Sequence, residues 1–214
     1  MKQPMKQSAN TPKRPQSPGR GRRRAFDREA GVTIAKALFH EHGYDAVGIA
    51  ELTRALDINP PSLYAAYGSK AGLFERCLAV YVEEANLPAD KILTPDRPLP
   101  EAIQALLLQA TELYTQSKTR RGCMVIEGTR ADDPQARALA NSHGDKAFAF
   151  IQQRIKQTQP DRARELTDYV VTTLRGLSVG ARIGLSRARL LSVARLAGQS
   201  FETFLHTPTT EQRP

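Results

Sequence analysis

The sequence predicts an all-α fold, and three observations carry that prediction. Apolar residues return at the three-and-four spacing of a helical face through most of the chain. Glycine and proline fall between these periodic runs, at Gly43, Gly68, Pro88, Gly122, Pro134, Pro160 and Gly184. No run keeps the apolar–polar alternation of a half-buried strand. The expected arrangement is a three-helix head containing a helix-turn-helix, a linking fourth helix and a five-helix C-terminal body.

The first helix is expected from Asp27, whose carboxylate can cap it, to Gly43, which can end it. Its apolar face is read as Ala30, Ile34, Ala37 and Leu38. A short second helix carries Ile49, Leu52 and Leu56 on one face, and Asp57-Ile58-Asn59 follows as a polar turn. The third helix begins at Pro60-Pro61. Proline is tolerated there because first-turn amides lack intrahelical partners, so Asn59 as cap and Pro60 as first residue fit together. That helix ends near Tyr67-Gly68. Ser69 can cap a fourth helix through Leu73, Phe74, Cys77, Leu78 and Tyr81 to about Leu87, where Pro88 opens a loop to Pro100. Five further helical patterns follow at about 100–117, 123–131, 134–157, 161–183 and 187–205. The expected division is an arm over 1–24, a head over 25–87 and a body over 98–206.

Charge is concentrated at one end. The formal net charge is +9, and residues 1–24 hold eight cations and no acid, so the other 190 residues carry only +1. With prolines at 4, 12, 15 and 18 and almost nothing apolar to bury, this stretch is expected to be disordered in isolation. A basic arm of this kind suits phosphates or a minor groove, with Arg22, Arg23 and Arg24 next to the folded head. The bland alternative is a solubilising or cloning-derived tail. The head itself, 25–70, has four cations against six acids, net −2, which makes it a poor magnet for a polyanion without the arm.

No stretch reaches the roughly 18 consecutive apolar residues of a membrane span, and the N-terminus lacks the apolar segment of a signal peptide. A cytoplasmic protein without membrane association is expected. Two cysteines, Cys77 and Cys123, are too few for a disulfide framework or a structural zinc site. His40 and His42 do not face each other at i, i+2 on a helix, so neither a metal nor a cofactor is assigned.

Two short helices joined by a three-residue turn, in a bundle that follows a basic arm, have the geometry that lays the second helix into a major groove. Leu63 points inward in this reading, while Pro61, Ser62, Ala65 and Ala66 leave a slim outer surface. Ser62 can bond a phosphate or base, and Pro61 and Ala65 can meet thymine methyls. Tyr64 and Tyr67 offer phenol hydroxyls, and Lys70 adds a cation beside the fourth helix. Gly48, Asn59 and Pro60 complete the expected DNA-facing set.

The run from Phe26 to Glu84 resembles the DNA-binding domain of the TetR family. Gly43-Tyr44, Leu63-Tyr64-x-x-Tyr67 and Ser69-Lys70-x-x-Leu73-Phe74 match its motifs in order and spacing. The resemblance implies a homodimer on a pseudo-palindromic double-stranded operator, with a small-molecule effector pocket in the body that releases DNA. Three positions depart from the family pattern. Val47 and Gly48 replace hydroxyl residues that cap the second helix, so that phosphate contact falls to backbone amides. Asp57 stands where a turn glycine is common, and aspartate tolerates the left-handed conformation. Pro60 and Pro61 replace residues that often include lysine or glycine.

Three further readings concern the body. Gly176, Gly180 and Gly184 recur every four residues with Ala181 beside them, and such a stripe admits close helix approach. By family resemblance it is placed at the dimer interface; its rival is packing within one subunit. Cys123 follows Arg120-Arg121-Gly122 at a helix start, where cations and the helix dipole would favour a thiolate; its rival is a buried apolar cysteine. The effector pocket is expected between the fourth helix and the body, lined by Leu78, Tyr81, Leu107, Leu108, Cys123 and Phe148. With no ionic clamp in sight, a mostly apolar ligand is expected. A constitutive or non-specific DNA-binding protein is the alternative function. An enzyme is disfavoured because neither G-x-x-x-x-G-K nor G-x-S-x-G occurs.

Overall fold

The computed structural model describes residues 26–85, 87 and 89–206, and these form ten helices with no strand among the described residues. The head comprises α1 (Arg28–His42), α2 (Ile49–Ala55) and α3 (Pro60–Tyr67), and α4 (Lys70–Ala85) leads out of it. The body comprises α5 (Ala89–Ile92), α6 (Leu99–Thr115), α7 (Met124–Gly128), α8 (Pro134–Lys156), α9 (Ala163–Arg182) and α10 (Arg187–His206). The arm with Arg22, Arg23 and Arg24 lies outside the described residues.

Side chains set the helix starts as expected. Asp27 accepts from the amides of Glu29 and Ala30 at 3.0 and 3.1 Å. Ser69 Oγ accepts from the Gly72 amide at 2.9 Å. Asp133 repeats the pattern ahead of Pro134, accepting from the amides of Gln135 and Ala136. Gly43 ends α1 at φ 84°, its amide bonded to the Phe39 carbonyl. Asp57 does occupy the left-handed region, at φ 51°.

Two expectations fail here. The buried face of α1 is Gly31, Val32, Ala35 and Phe39, one position off the expected set, and Ile34 is 42% exposed. Both sets satisfy helical spacing, and the largest side chain decides between them. Phe39 sits against Tyr44 and Phe74, with ring centroids 5.7 and 5.2 Å away. The segment read as a loop from Pro88 to Pro100 contains α5. Its Ile92 and the following Leu93 are buried in the body core, which holds one helical turn too short to leave a periodic signal.

Two apolar cores organise the molecule. The body core joins Leu99, Ile103, Leu106 and Leu107 of α6 to Leu174 and Leu177 of α9 and Phe201 of α10. Arg154 on α8 is buried and donates to the carbonyls of Thr94 and Arg97, which pins the segment after α5. The head core, built on Phe39, Leu52, Leu63, Phe74 and Leu78, is completed by Met124 and Val125 of α7 and Ala136 and Ala140 of α8. Each large side chain in these cores contributes about 1.5–3 kcal/mol of burial. The head is therefore seated on the body through shared packing.

Polar contacts fix that seating at two places. Arg182 of α9 donates to the carbonyls of His40 and Glu41 at the end of α1, and pairs with Glu127 at 3.5 Å. His40 Nε2 lies 3.1 Å from the Gly122 carbonyl. At the second place, the Tyr44 hydroxyl donates to Asp133 at 2.5 Å and the Asp132 amide donates to Asp45. The sequence offers no local signal for these contacts, which join residues 55–142 positions apart.

Candidate nucleic-acid interface and internal cavity

The outward face of α3 is made by its own start. Pro60 and Pro61 supply no amide hydrogen, so the first free donor is Ser62 N–H, which the Asn59 side chain accepts at 2.9 Å. Residues 60–62 then offer no spare amide to a phosphate, which shifts the contacts toward side chains. Leu63 and Ala66 are buried, while Pro60, Pro61, Ser62, Tyr64 and Ala65 are exposed. Tyr64, at 47% exposure, is the one large side chain on this face. The α2 start differs. Gly48 caps it with no side-chain hydrogen bond, leaving its first-turn amides for an external acceptor.

Tyr67 is a correction to the expected set. Its ring is buried edge-on to Phe26, and its hydroxyl donates 2.9 Å to the Arg28 carbonyl. A Cβ at Gly31 would come within 2.3 Å of that hydroxyl, so glycine there makes room for the tie between α3 and α1. Burial pushes the phenol above its ordinary value. Ala66 likewise belongs to the core. Lys70 is half-buried with Nζ 4.0 Å from the centre of the Tyr44 ring. Burial lowers its pKa, and the carboxylates of Asp45 and Asp133 work against that shift.

A cavity of about 180 Å³ lies between α4 and the body. Tyr81, Cys123 and Phe148 line it, as expected, together with Leu106, Ile151 and Leu174. The other three expected residues do not. Leu78 is sealed in the head core and Leu107 in the body core. Leu108 packs partly buried against the body core, away from the cavity. Leu106, Leu107 and Leu108 are equally apolar in the sequence, and only the packing partner distinguishes them.

Cys123 also departs from the thiolate reading. It is the N-cap of α7, and burial pushes its thiol above the ordinary value. The neighbouring Arg121 spends its guanidinium on the carbonyls of Ala181 and Leu185, both at 2.6 Å. Cys77 is a core residue whose thiol burial raises to about 12.

The glycine stripe does not form one open face. A Cβ at Gly180 would meet Leu190 of α10 at 2.9 Å, and Ala181 is fully buried in the body core. Gly184 is the left-handed residue that ends α9, at φ 94°. Packing within the subunit accounts for Gly180 and Ala181. Gly176 and Gly184 both have open space where a Cβ would stand. Sequence reading does not mark the exposed apolar side chains at the end of α9 and on α10. Ile183 is 73% and Leu196 64% exposed, with Val193 also out. On α10, Leu196 points away from the buried Leu190 and Ala194, and Val193 lies at the edge of that buried face.

Comparison with known proteins places this architecture. The family model for bacterial regulatory proteins, tetR family, matches residues 32–77. The HTH-type transcriptional repressor BdcR of Escherichia coli (strain K12) is 45% identical over 195 residues, covering 91% of this chain and 98% of BdcR. The HTH-type transcriptional repressor ComR of the same strain is 28% identical over 186 residues, covering 82% of this chain and 89% of ComR. Among solved structures, a cysteine mutant of the TetR family transcriptional regulator CifR, complexed with a 26 bp double-strand operator DNA, matches with a TM-score of 0.74 and 31% identity. It covers 84% of this chain and 99% of that one. No helix among the described residues is long and apolar enough to cross a membrane. With a helix-turn-helix head on a helical body, and a repressor this similar along almost its whole length, the chain belongs to the TetR family of bacterial transcriptional regulators.

Proposed function

We propose that this protein is a ligand-responsive repressor that binds a pseudo-palindromic operator as a homodimer and is released by a small, mostly apolar effector. The observation that carries the DNA reading is the outer face of α3. Its bulk is turned inward at Leu63, Ala66 and Tyr67, leaving Pro61, Ser62, Tyr64 and Ala65 able to approach base edges. Gly48 and Asn59 flank this face, Lys70 stands at the start of α4, and the arm with Arg22, Arg23 and Arg24 supplies the positive charge that the head lacks. Such a protein acts in the cytoplasm, where the DNA is.

The dimer is assigned to the outer face of α9 and α10, around Gly176, Ile183, Val193 and Leu196. An exposed apolar patch of this kind is what a subunit contact buries. The cavity beside α4 is assigned to the effector. Because α4 leads directly from the recognition element to the cavity wall at Tyr81, a ligand favouring a different tilt of α4 changes the separation of the two α3 helices and weakens DNA binding by its own preference for that state.

Leu196→Asp tests the assembly. The variant should keep its helical circular dichroism, sediment as a monomer at micromolar concentration and lose operator binding. DNA selected by the wild type from a random library should contain an inverted repeat, its half-sites about one DNA turn, roughly 34–36 Å, apart. A variant that stays dimeric would remove the α9–α10 face from the interface.

A further inference from the structure

The seam between head and body holds a second opening, polar where the first is apolar. Lys36 and His40 of α1, Glu84 of α4 and Arg120 of the loop after α6 line an open cleft of about 450 Å³. That lies within the roughly 300–1,000 Å³ usual for small-molecule sites. Its charge does not balance. Lys36 and Arg120 bring two positive charges, and Glu84 brings one negative charge. Glu84 is spent on Lys36, whose side chain is 12% exposed. Arg120 is exposed, and its guanidinium has neither a hydrogen bond nor an ion pair among the described residues. The Arg120 backbone amide donates to Ser117 Oγ at 3.1 Å, which holds the loop that carries it.

The surroundings repeat this excess. His40 is half-buried, with Nε2 donating to the Gly122 carbonyl. Burial lowers its pKa against the pull of that bond, and the charges of Arg182, Arg120 and Lys36 all push it further down. An anion in the cleft offsets this mutual repulsion of cations. Chemistry narrows the anion. A guanidinium presents parallel N–H donors that match a carboxylate or a phosphate. A phosphate monoester carries about 1.5–2 negative charges at neutral pH. That exceeds the one positive charge in surplus and sets the second negative charge against Glu84. Tyr81 and Leu113 also line the cleft and give it an apolar side. We propose that this cleft binds a small monocarboxylate with a hydrocarbon body, its carboxylate on the Arg120 guanidinium in the field of Lys36 and its body against Tyr81 and Leu113. Such a ligand touches α1, α4 and the loop after α6 together, and adds a tie between head and body. The site is independent of the effector reading of the apolar cavity, although Tyr81 and Leu113 line both.

The test titrates the full-length protein with benzoate, benzamide and phenyl phosphate, which share a ring and differ in charge, by calorimetry at low salt. The wild type should bind benzoate about tenfold or more tightly than benzamide, and more tightly than phenyl phosphate. In Arg120→Gln the preference for benzoate over benzamide should fall to about twofold or less. Arg164→Gln, which removes one charge from an exposed position on α9, should keep it. Histidine ring signals in NMR spectra locate the ligand, because His40 lines the cleft and His143 lines the apolar cavity. Benzoate should shift the His40 signals and leave those of His143 in place. A shift at His143 rather than His40 would put the ligand in the apolar cavity, overturning the cleft and leaving the effector reading intact. Equal binding of benzoate and benzamide, a preference that survives Arg120→Gln, or binding of none of the probes at millimolar concentration would overturn the site. Phenyl phosphate binding more tightly than benzoate would overturn the carboxylate class.

Discussion

Arg182→Met separates the head from the body at one guanidinium while keeping most of the hydrocarbon stem. The Arg182 side chain is 19% exposed and donates to the His40 carbonyl at 2.8 Å, with longer contacts to the carbonyls of Arg121 and Glu41 at 3.3 and 3.4 Å. His40 and Glu41 lie in the last turn of α1, where carbonyls lack helical partners and a cation is favoured by the helix dipole. A hydrogen bond from a charged donor contributes about 1.5–3 kcal/mol. The short bond dominates, and the two long ones and the half-screened pair with Glu127 add little. A net loss of about 2–3 kcal/mol is expected. For a chain of this length each kcal/mol lowers the melting temperature by roughly 2–4 °C, so the variant should melt about 4–12 °C below the wild type. Operator affinity should fall with it, since α1 is freed from α9. Arg187→Met is the control. Arg187 pairs with Glu112, but both are well exposed, at 60% and 45%, and its loss should leave the melting temperature unchanged within error. An Arg182→Met variant that melts within about 1 °C of the wild type, or an Arg187→Met variant that loses as much, would refute this reasoning.

The two tyrosines of α3 should part company. Tyr67→Phe loses the bond to the Arg28 carbonyl and should destabilise by about 1 kcal/mol in denaturant titrations, whereas Tyr64→Ala should leave stability unchanged and weaken operator binding. The bond from Tyr44 holds the Asp133 carboxyl below its ordinary value of 3.8. A carboxyl depressed in the folded state stabilises at pH above its unfolded value and loses that contribution as pH falls through the folded one. Tyr44→Phe should therefore destabilise at pH 6 and do so measurably less at pH 3, read by urea unfolding at each pH. An equal loss at both values would remove the ionic part of this contact.

Local chemistry was legible in the sequence and long-range placement was not. The caps Asp27, Asn59 and Ser69, and the left-handed Asp57, follow from what a side chain can do for amides two or three residues away, and all four stand as expected. The family motifs pointed to the correct family for the same reason, since each spans only a few residues. Phase around a helix needs a partner, and there the reading slipped. On α1 the spacing allowed Ile34 or Phe39 to face inward, and ring packing with Phe74 chose Phe39. The glycines of α9 recur every four residues, yet Gly180 is small for Leu190 of its own chain and Gly184 for a turn. Of the cavity residues, Tyr81, Cys123 and Phe148 were found because each is the distinctive side chain in its stretch. Leu106 has two identical neighbours, and nothing in the sequence marks it as the one that faces the cavity.

The claim that the exposed face of α3 reads the operator is tested most directly by Ala65→Glu and Ser62→Glu, measured by fluorescence anisotropy on a site selected by the wild type and on bulk DNA. Both positions are exposed, so circular dichroism and melting temperature should match the wild type. The account predicts that the wild type prefers its site by a factor of roughly 10³ or more and that either variant loses that preference. A variant that folds, carries the new carboxylate on α3 and still prefers the operator by the wild-type factor would contradict it.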